Sequence, residues 1–205
     1  AAIIRLEALM QRPDFDVAAF AARLDASDLT GLFAEWGFWG RLDQDEPPGD
    51  WRNWVMLAGR GFGKTRTGAE WVSAQVAKRA EPLRIALIGA TERDVRAVMI
   101  EGDSGLLSVG RADQRPMWEA VRGRLLWPSG AQAYAYSAES PERLRGPQFD
   151  FAWADEVAAW ASGAAWDNMQ LALRLGPRPR ALATTTPRTT PFVRRLVAAP
   201  ATVVT

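Results

Sequence analysis

From residue 54 onwards, short and nearly continuous apolar runs alternate with segments in which apolar residues recur at helical spacing. The apolar runs lie at 54–57, 84–89, 149–154 and 180–184, and the segments with helical spacing lie at 64–79, 91–101, 164–175 and 192–198. Nearly continuous apolar runs are typical of parallel strands in a sheet that is covered on both faces. The alternation predicts a doubly wound α/β fold with a site at the carboxyl ends of the strands.

One region departs from this alternation near the middle of the chain. Between residues 117 and 137, two β-prone runs flank Pro128-Ser129-Gly130. Two such runs around a Pro/Gly turn predict an antiparallel hairpin, which would extend a mostly parallel sheet. A last strand is expected at 201–205.

The first fifty residues form a second exception. Apolar spacing after Pro13 predicts an amphipathic helix at 14–25, and a second helix is expected to begin near Ser27. Punctuation by Gly and Pro predicts a loop from Gly37 to Trp51. We therefore expect an N-terminal helical appendage at residues 1–50 and one α/β core at residues 51–205, in a chain that is part of a larger protein.

A glycine-rich turn joins the first apolar run to the helix after it. Its residues are Ala58, Gly59, Arg60, Gly61, Phe62, Gly63, Lys64 and Thr65, and Arg66 continues the nucleotide-binding stretch into the helix. The backbone N–H groups of such a turn, with the positive end of the helix, can cradle a polyphosphate. Lys64 would reach the β- and γ-phosphates, and Thr65 would hold Mg²⁺.

This stretch differs from the usual phosphate-loop pattern at its first position. The pattern opens with glycine, and Ala58 stands there instead. An alanine is tolerated if the backbone at that residue does not need a positive φ. The alternative is an ordinary glycine-rich turn that contains Gly-Lys-Thr by chance.

The apolar run at 149–154 ends in two acids, Asp155 and Glu156. We expect Asp155 to hold Mg²⁺ directly or through water. Glu156, beside the γ-phosphate, would orient and deprotonate an attacking water molecule. An ordinary strand end with two solvated acids is the alternative, but the position about ninety residues after the glycine-rich turn favours catalysis.

A hydroxyl-rich turn follows the last core strand and contains Thr184, Thr185 and Thr186. Such a turn can hydrogen-bond the γ-phosphate region and transmit the loss of that phosphate to the rest of the protein. Threonine is also frequent at strand ends because of its β-propensity alone. From the residues alone, the turn is therefore a candidate sensor of the γ-phosphate.

Two arginines are candidates for stabilising the transferring phosphoryl group. Arg60 lies inside the glycine-rich turn and could act in cis, whereas Arg145 lies in a loop before the acidic strand and could reach a neighbouring subunit's site. For Arg145, the alternative is a salt bridge to Glu142 or Glu139.

The residues before the first strand offer a candidate contact for a nucleotide base. The ring of Trp51 or the guanidinium of Arg52 could stack on adenine, and Asn53 could read its edge. The alternative is that the tryptophans are core residues at the start of a strand.

Composition narrows the chemistry further. The chain contains no histidine and no cysteine, so catalysis must use carboxylates, Lys, Arg, hydroxyl groups and a hard cation such as Mg²⁺. No apolar run approaches the ~20 residues of a membrane helix, and no secretory signal is visible. The net charge of +1 leaves the partner open.

Taken together, the motifs resemble those of the ATPase domain of the large terminase subunit, the DNA-packaging motor of tailed bacteriophages and phage-like gene transfer agents. The resemblance rests on AGRGFGKT, ERLRG, FDFAWADE and TTTP, and it covers roughly residues 51–190. It implies a P-loop NTPase fold of the additional-strand, catalytic-glutamate class. By motif position it implies MgATP binding by Lys64, Thr65 and Asp155, with Glu156 as the catalytic base. Arg60 is similar to the family's loop arginine and Arg145 to its trans-acting finger. The turn from Thr184 to Thr186 is similar to the family's coupling motif, which passes hydrolysis to DNA movement.

The resemblance also implies partners and a location. These are double-stranded DNA, a portal protein, the small terminase subunit and further copies of the chain in a ring, expected to be a pentamer. The expected location is the cytoplasm of the host or producer cell, transiently on the procapsid, without membrane contact. The family's C-terminal nuclease is not expected within these residues.

Two alternative functions remain open. One is a superfamily 2 helicase-like ATPase, which would need a second RecA-like domain in the same chain. The other is a nucleotide-gated assembly module that binds ATP without hydrolysing it. Intact Lys64, Asp155 and Glu156 argue against this second alternative, and a phosphate-release assay would decide.

Overall fold

The computed structural model describes residues 12–25, 31 and 35–205. Eight strands form one mixed sheet in the order β3-β4-β5-β2-β6-β7-β1-β8. They are β1 (Asn53–Leu57), β2 (Arg84–Gly89), β3 (Met117–Glu119), β4 (Arg124–Leu126), β5 (Gln132–Ser137), β6 (Phe151–Asp155), β7 (Arg180–Thr185) and β8 (Thr202–Val204). The six strands from β5 to β8 in this order pair in parallel, whereas β3 and β4 extend the sheet in antiparallel fashion.

The strand order confirms the predicted fold class. Strand β7 lies between β1, which leads into the glycine-rich turn, and β6, which ends in Asp155. This interposed strand is the additional strand that the resemblance implies. Since β1, β6 and β7 run in parallel, their carboxyl ends meet at one edge of the sheet, called here the carboxyl edge.

Helices cover the sheet and complete the predicted alternation. They are α1 (Val17–Ala21), α2 (Trp36–Trp39), α3 (Lys64–Ala77), α4 (Glu92–Asp94), α5 (Ala164–Ala172) and α6 (Pro191–Val197). Helix α4 starts with a capping box, because the Thr91 hydroxyl accepts from the backbone N–H of Asp94 and the Asp94 carboxylate accepts from the backbone N–H of Thr91. It then continues as a π-helix, Val95–Ile100, where a regular helix was predicted.

Successive residues of the strands pack alternately into two apolar layers, one on each face of the sheet. Trp54 and Met56 of β1 pack into the layer beneath α3, whereas Val55 between them packs into the layer beneath α5. One contact in the first layer is unusually close: a methyl group on Gly68 of α3 would lie 2.1 Å from the ring of Trp153. Glycine at this position therefore lets the helix that follows the glycine-rich turn approach β6.

The N-terminal part agrees with the predictions only in places. The predicted helix at 14–25 is confirmed as the shorter α1, which Asp16 caps. Most of the helix predicted from Ser27 lies outside the described residues. The predicted loop is wrong in part, because Trp36–Trp39 is helical and Leu42–Gln44 forms a 3₁₀ turn. The boundary at residue 51 stays a prediction.

Across the described ranges of the chain, no helix has both the length and the apolar character needed to cross a membrane.

Candidate active site

The glycine-rich turn has the backbone geometry of a phosphate loop. Gly61 and Gly63 have φ values of 77° and 92°, and Gly63 is the N-cap of α3. Left-handed conformations of this kind favour glycine. Ala58 is not among the described residues with positive φ, so the methyl group that replaces the usual glycine hydrogen causes no backbone strain. The backbone N–H of Ala58 donates to the carbonyl of Thr185, which ties the turn to β7.

Lys64 is the buried cation at the centre of the carboxyl edge. Its side chain is 7% exposed, and Nζ donates to the carbonyl oxygens of Ala58 at 3.0 Å and Gly59 at 3.1 Å. Nζ also lies 3.5 Å from Oε1 of Glu156 and 3.5 Å from the hydroxyl of Thr186. Lys64 therefore contacts the glycine-rich turn, the acidic end of β6 and the hydroxyl-rich turn at 184–186, called here the threonine turn.

Asp155 is a buried carboxyl group at the end of β6. Burial raises its pKa from 3.8 to about 6, and the nearby charge of Glu156 adds to the rise. The hydroxyl of Thr184, at 2.5 Å from Oδ1, and the charge of Lys64 act in the opposite direction. Thr184 is itself held, because its hydroxyl accepts from Nε1 of Trp153 at 3.0 Å.

Glu156 has an unusual backbone for a residue other than glycine, with φ and ψ both at 47°. Its carboxylate accepts from Thr186 through both the backbone N–H and the hydroxyl, at 3.1 to 3.2 Å. The neighbouring Thr185 hydroxyl accepts from the backbone N–H of Ala158. The left-handed turn thus directs Glu156 along the carboxyl edge towards the threonine turn, while Asp155 points into the protein.

The two candidate arginines are both exposed. Within the described part of the chain, Arg60 makes no side-chain hydrogen bond or ion pair. Nε of Arg145 lies 3.4 Å from Oδ1 of Asn168, and the salt bridges to Glu142 or Glu139 that were its alternative are not formed among the described residues.

A match to a family model identifies the protein family of this chain. The family model described as "Terminase large subunit, T4likevirus-type, N-terminal" matches residues 55–203 of this chain. The chain belongs to the large terminase subunit family. Comparison with curated proteins gives no match.

Solved structures of large terminases and of a packaging ATPase share the fold. The ATPase domain of the Thermus phage P74-26 large terminase aligns with a TM-score of 0.61 at 18% identity, over 85% of this chain and 75% of that one. The large terminase of a thermophilic bacteriophage, solved in complex with ADP, gives 0.60 at 15% identity, over 76% and 40%. The N-terminal domain of the DNA packaging ATPase from bacteriophage phi29 gives 0.57 at 12% identity, over 76% and 89%. This chain thus spans less than half of the ADP-bound terminase chain.

The predicted contact of this terminase chain with the nucleotide base is wrong for Trp51 and Asn53. Both side chains are buried at the amino end of β1, and the glycine-rich turn follows its carboxyl end. Nε1 of Trp51 donates to the carbonyl of Pro47, and the Arg180 guanidinium covers the ring at 4.2 Å. The Asn53 side chain bonds to Thr202 and Gln170. The alternative, core residues at a strand start, is the correct one.

Arg52 and Arg66 are also engaged elsewhere. The Arg52 guanidinium donates to the carbonyls of Gln170 and Leu173 at the end of α5. The Arg66 guanidinium pairs with buried Glu70 at 2.7 Å and lies over the ring of Trp36. A contact of Arg66 with phosphate would therefore use its backbone N–H, which lies in the first turn of α3.

The sequence predictions missed one support of the terminase phosphate loop. Nε2 of buried Gln44 donates to the carbonyl of Phe62 at 2.9 Å, and the Arg41 guanidinium donates to the same carbonyl at the same distance. Arg41 also covers the Phe62 ring. No local pattern in the sequence signals these contacts. Arg41 and Gln44 lie in the predicted loop, about twenty residues before Phe62.

The donor set fits Mg²⁺ where the terminase motifs place it. Mg²⁺ prefers oxygen ligands and commonly takes one or two protein carboxylates or hydroxyl groups together with substrate phosphates. Asp155 and Thr65 supply such oxygens, on β6 and on the first turn of α3. No group of three or more acidic side chains that could hold a metal alone occurs in the described residues. Asp155 and Thr65 would therefore hold Mg²⁺ together with phosphate oxygens of a bound nucleotide.

Proposed function

We propose that this chain is the ATP-hydrolysing part of a motor that translocates double-stranded DNA into a phage-like capsid. The observation that carries the proposal is the contact of Lys64 with Glu156 and Thr186, which joins three distant sequence motifs at one edge of the sheet. In this proposal ATP and Mg²⁺ occupy that edge.

Each residue has a defined role in the proposed reaction. The N–H groups of Gly59 to Thr65 bind the phosphates, and Lys64 exchanges the carbonyls of Ala58 and Gly59 for phosphate oxygens. Asp155 and the Thr65 hydroxyl hold Mg²⁺, which supplies charge neutralisation at the phosphates. Glu156 orients a water molecule and accepts a proton from it as the water oxygen attacks the γ-phosphorus. The bond between that phosphorus and the β–γ bridging oxygen breaks, and ADP and inorganic phosphate are the products.

The two arginines and the threonine turn complete the proposed motor. Arg60 stabilises charge on the transferring phosphoryl group in cis, and Arg145 does so in the site of a neighbouring copy. Thr184, Thr185 and Thr186 transmit loss of the γ-phosphate, because this turn touches both Asp155 and Glu156. The proposed assembly is a ring, a pentamer, that works in the bacterial cytoplasm on a procapsid with a portal protein and the small terminase subunit.

Phosphate release in the presence and absence of double-stranded DNA tests this function. We expect ATP hydrolysis that needs Mg²⁺ and rises with DNA and with protein concentration, because Arg145 acts between copies. Subunits with Arg145→Ala should regain activity when mixed with Glu156→Gln subunits that carry an intact Arg145. ATP binding without any phosphate release would instead support the nucleotide-gated assembly module, and failure of the mixture would reduce Arg145 to a structural residue.

A further inference from the structure

A second concave surface lies on the carboxyl edge, on the far side of β2 from the phosphate loop. This arginine groove has a volume of about 570 Å³ and is bounded by the start of α4, the turn between β3 and β4, and β5. The backbone N–H of Ala135 donates to the carbonyl of Gly123, which fixes the β3–β4 turn against β5. Its charged lining residues are Glu92, Arg93, Arg96, Arg122 and Arg143.

The arginine groove concentrates positive charge on a nearly neutral protein. Four arginines and one acid line the groove, and two further acids, Glu101 and Glu119, pair with its arginines from outside the lining. The whole chain carries a net charge of only +1. Three of these arginines have acidic partners: Arg96 pairs with Glu101, Arg122 with Glu119, and Arg143 with Glu92. All three arginines are more than half exposed, so these pairs are weak and the remaining guanidinium donors are accessible. Among the described residues, Arg93 has no acidic partner.

The groove lacks the aromatic platform that single-stranded nucleic acids use. Its aromatic side chains, Trp118, Tyr134 and Tyr136, are all partly buried. The Tyr134 hydroxyl donates to the side chain of Gln132, and the Tyr136 ring packs edge-on against Phe149. Proteins that bind single strands stack bases on exposed aromatic rings. Exposed arginines without such rings instead suit the sugar–phosphate backbone of a duplex.

The position of the groove connects it to the proposed ATPase site. Helix α4 begins just after β2, and β2 pairs directly with β6, which ends in Asp155. On the other side, Arg143 belongs to the 3₁₀ turn Pro141–Leu144, and Arg145 follows this turn at once. A ligand in the groove would thus touch segments that lead to the metal-binding acid and to the proposed finger.

We propose that the arginine groove holds the phosphate backbone of double-stranded DNA, with Arg93, Arg96 and Arg122 as phosphate contacts. This rests on the proposed function, because it identifies the surface through which that motor would grip its substrate. Arginine suits this role because its planar guanidinium can donate two hydrogen bonds to one phosphate.

The test compares two triple variants of the 205-residue chain that lose equal charge. The groove variant carries Arg93→Gln, Arg96→Gln and Arg122→Gln. The control variant carries Arg111→Gln, Arg174→Gln and Arg178→Gln, which replace exposed arginines of segments that lead into the opposite edge of the sheet. Fluorescence anisotropy measures binding of a labelled DNA duplex between about 50 and 200 mM salt.

We expect the control variant to bind the duplex as the wild type does. The groove variant should bind about tenfold or more weakly, and its plot of log affinity against log salt should be less steep by about 2 to 3 units, close to one unit for each arginine that no longer neutralises a phosphate. The melting temperature and the affinity for ATP should not change. If the groove variant is less stable, the single variant Arg93→Gln replaces it, with about one unit of slope as the expected change.

Other outcomes would overturn the proposal in distinguishable ways. Equal loss of binding in both triple variants, or in neither, would remove the arginine groove but leave the proposed motor intact. Preference for a single strand of the same length would remove the duplex assignment. Preference for a polyglutamate peptide would instead make the groove a docking site for an acidic protein. Failure of the wild type to bind any DNA would count against both the groove and the motor.

Discussion

The hydroxyl of Thr186 lies 3.1 Å from Oε1 and 3.2 Å from Oε2 of Glu156, and the backbone N–H of Thr186 donates to the same carboxylate. The threonine turn therefore bonds directly to the proposed catalytic base. Lys64 lies 3.5 Å from both side chains. A phosphate group that binds Lys64 would therefore also change the contacts of Glu156. Through these contacts, the proposed coupling turn can respond to events at the proposed catalytic base.

We expect Thr186→Ala to lower kcat for ATP hydrolysis by about 10- to 100-fold, because Glu156 loses the hydroxyl that fixes its direction. The affinity for ATP should change little, since Thr186 lies beside the base and not within the phosphate loop. Steady-state phosphate release, with nucleotide affinity measured separately, distinguishes the two effects.

Thr186→Ser is the matched control for this experiment. Serine keeps the hydroxyl and the backbone N–H, so it should restore most of kcat. Equal kcat values for the alanine variant and the wild type would show that the contact does not position Glu156.

Asp155 makes the stability of the nucleotide-free chain depend on pH. A carboxyl group whose pKa rises on folding contributes stability below its unfolded value of 3.8, and this is lost as pH rises through about 6. The shift corresponds to about 3 kcal/mol. Because Asp155→Asn cannot ionise, its unfolding free energy should not carry this dependence on pH. Between about pH 4 and about pH 8, the unfolding free energy of the variant should therefore rise relative to that of the wild type by up to this amount. Urea unfolding at both pH values measures the two unfolding free energies. If their difference does not change with pH, the raised pKa of Asp155 is refuted.

Gly68→Ala tests the close approach of α3 to β6. The added methyl group would lie 2.1 Å from the ring of Trp153, and Trp153 is fully buried. Overpacking of this kind costs about 1–3 kcal/mol of unfolding free energy, which urea unfolding measures. Affinity for MgATP should also fall, because Trp153 holds Thr184 and Thr184 holds Asp155.

Gly146→Ala is the control for stability, since its added methyl group would meet no atom within 4 Å and its φ is not positive. It should change the unfolding free energy by about 0.5 kcal/mol or less. If Gly68→Ala is as stable as this control, the helix and strand can separate without cost.

The sequence predicted the strands and the glycine-rich turn well because their signals are local. Residues 84–89 form β2 as predicted, and the hairpin around Pro128-Ser129-Gly130 is confirmed. The Trp51 prediction was wrong although the topology could have corrected it. Trp51 precedes β1, and a strand of five residues at about 3.3 Å each separates it from the edge where the phosphate loop begins.

Other features depend on packing between distant segments and have no local signal. Glu156 combines a left-handed backbone with side-chain contacts to Thr186, thirty residues later, and no local pattern signals this combination. The support of Phe62 by Gln44 depends on how the N-terminal region folds back onto the glycine-rich turn. The π-helix at Val95–Ile100 likewise replaces a helix that apolar spacing predicted to be regular.

Glu156→Gln provides the most direct test of the central claim, that three distant motifs form one site for hydrolysis of MgATP. The measurement is nucleotide affinity together with single-turnover phosphate release. We predict an affinity for MgATP within a few-fold of the wild type, because the phosphate loop and Asp155 are unchanged, and phosphate release slower by about 10²- to 10⁴-fold. Phosphate release at the wild-type rate would contradict the account.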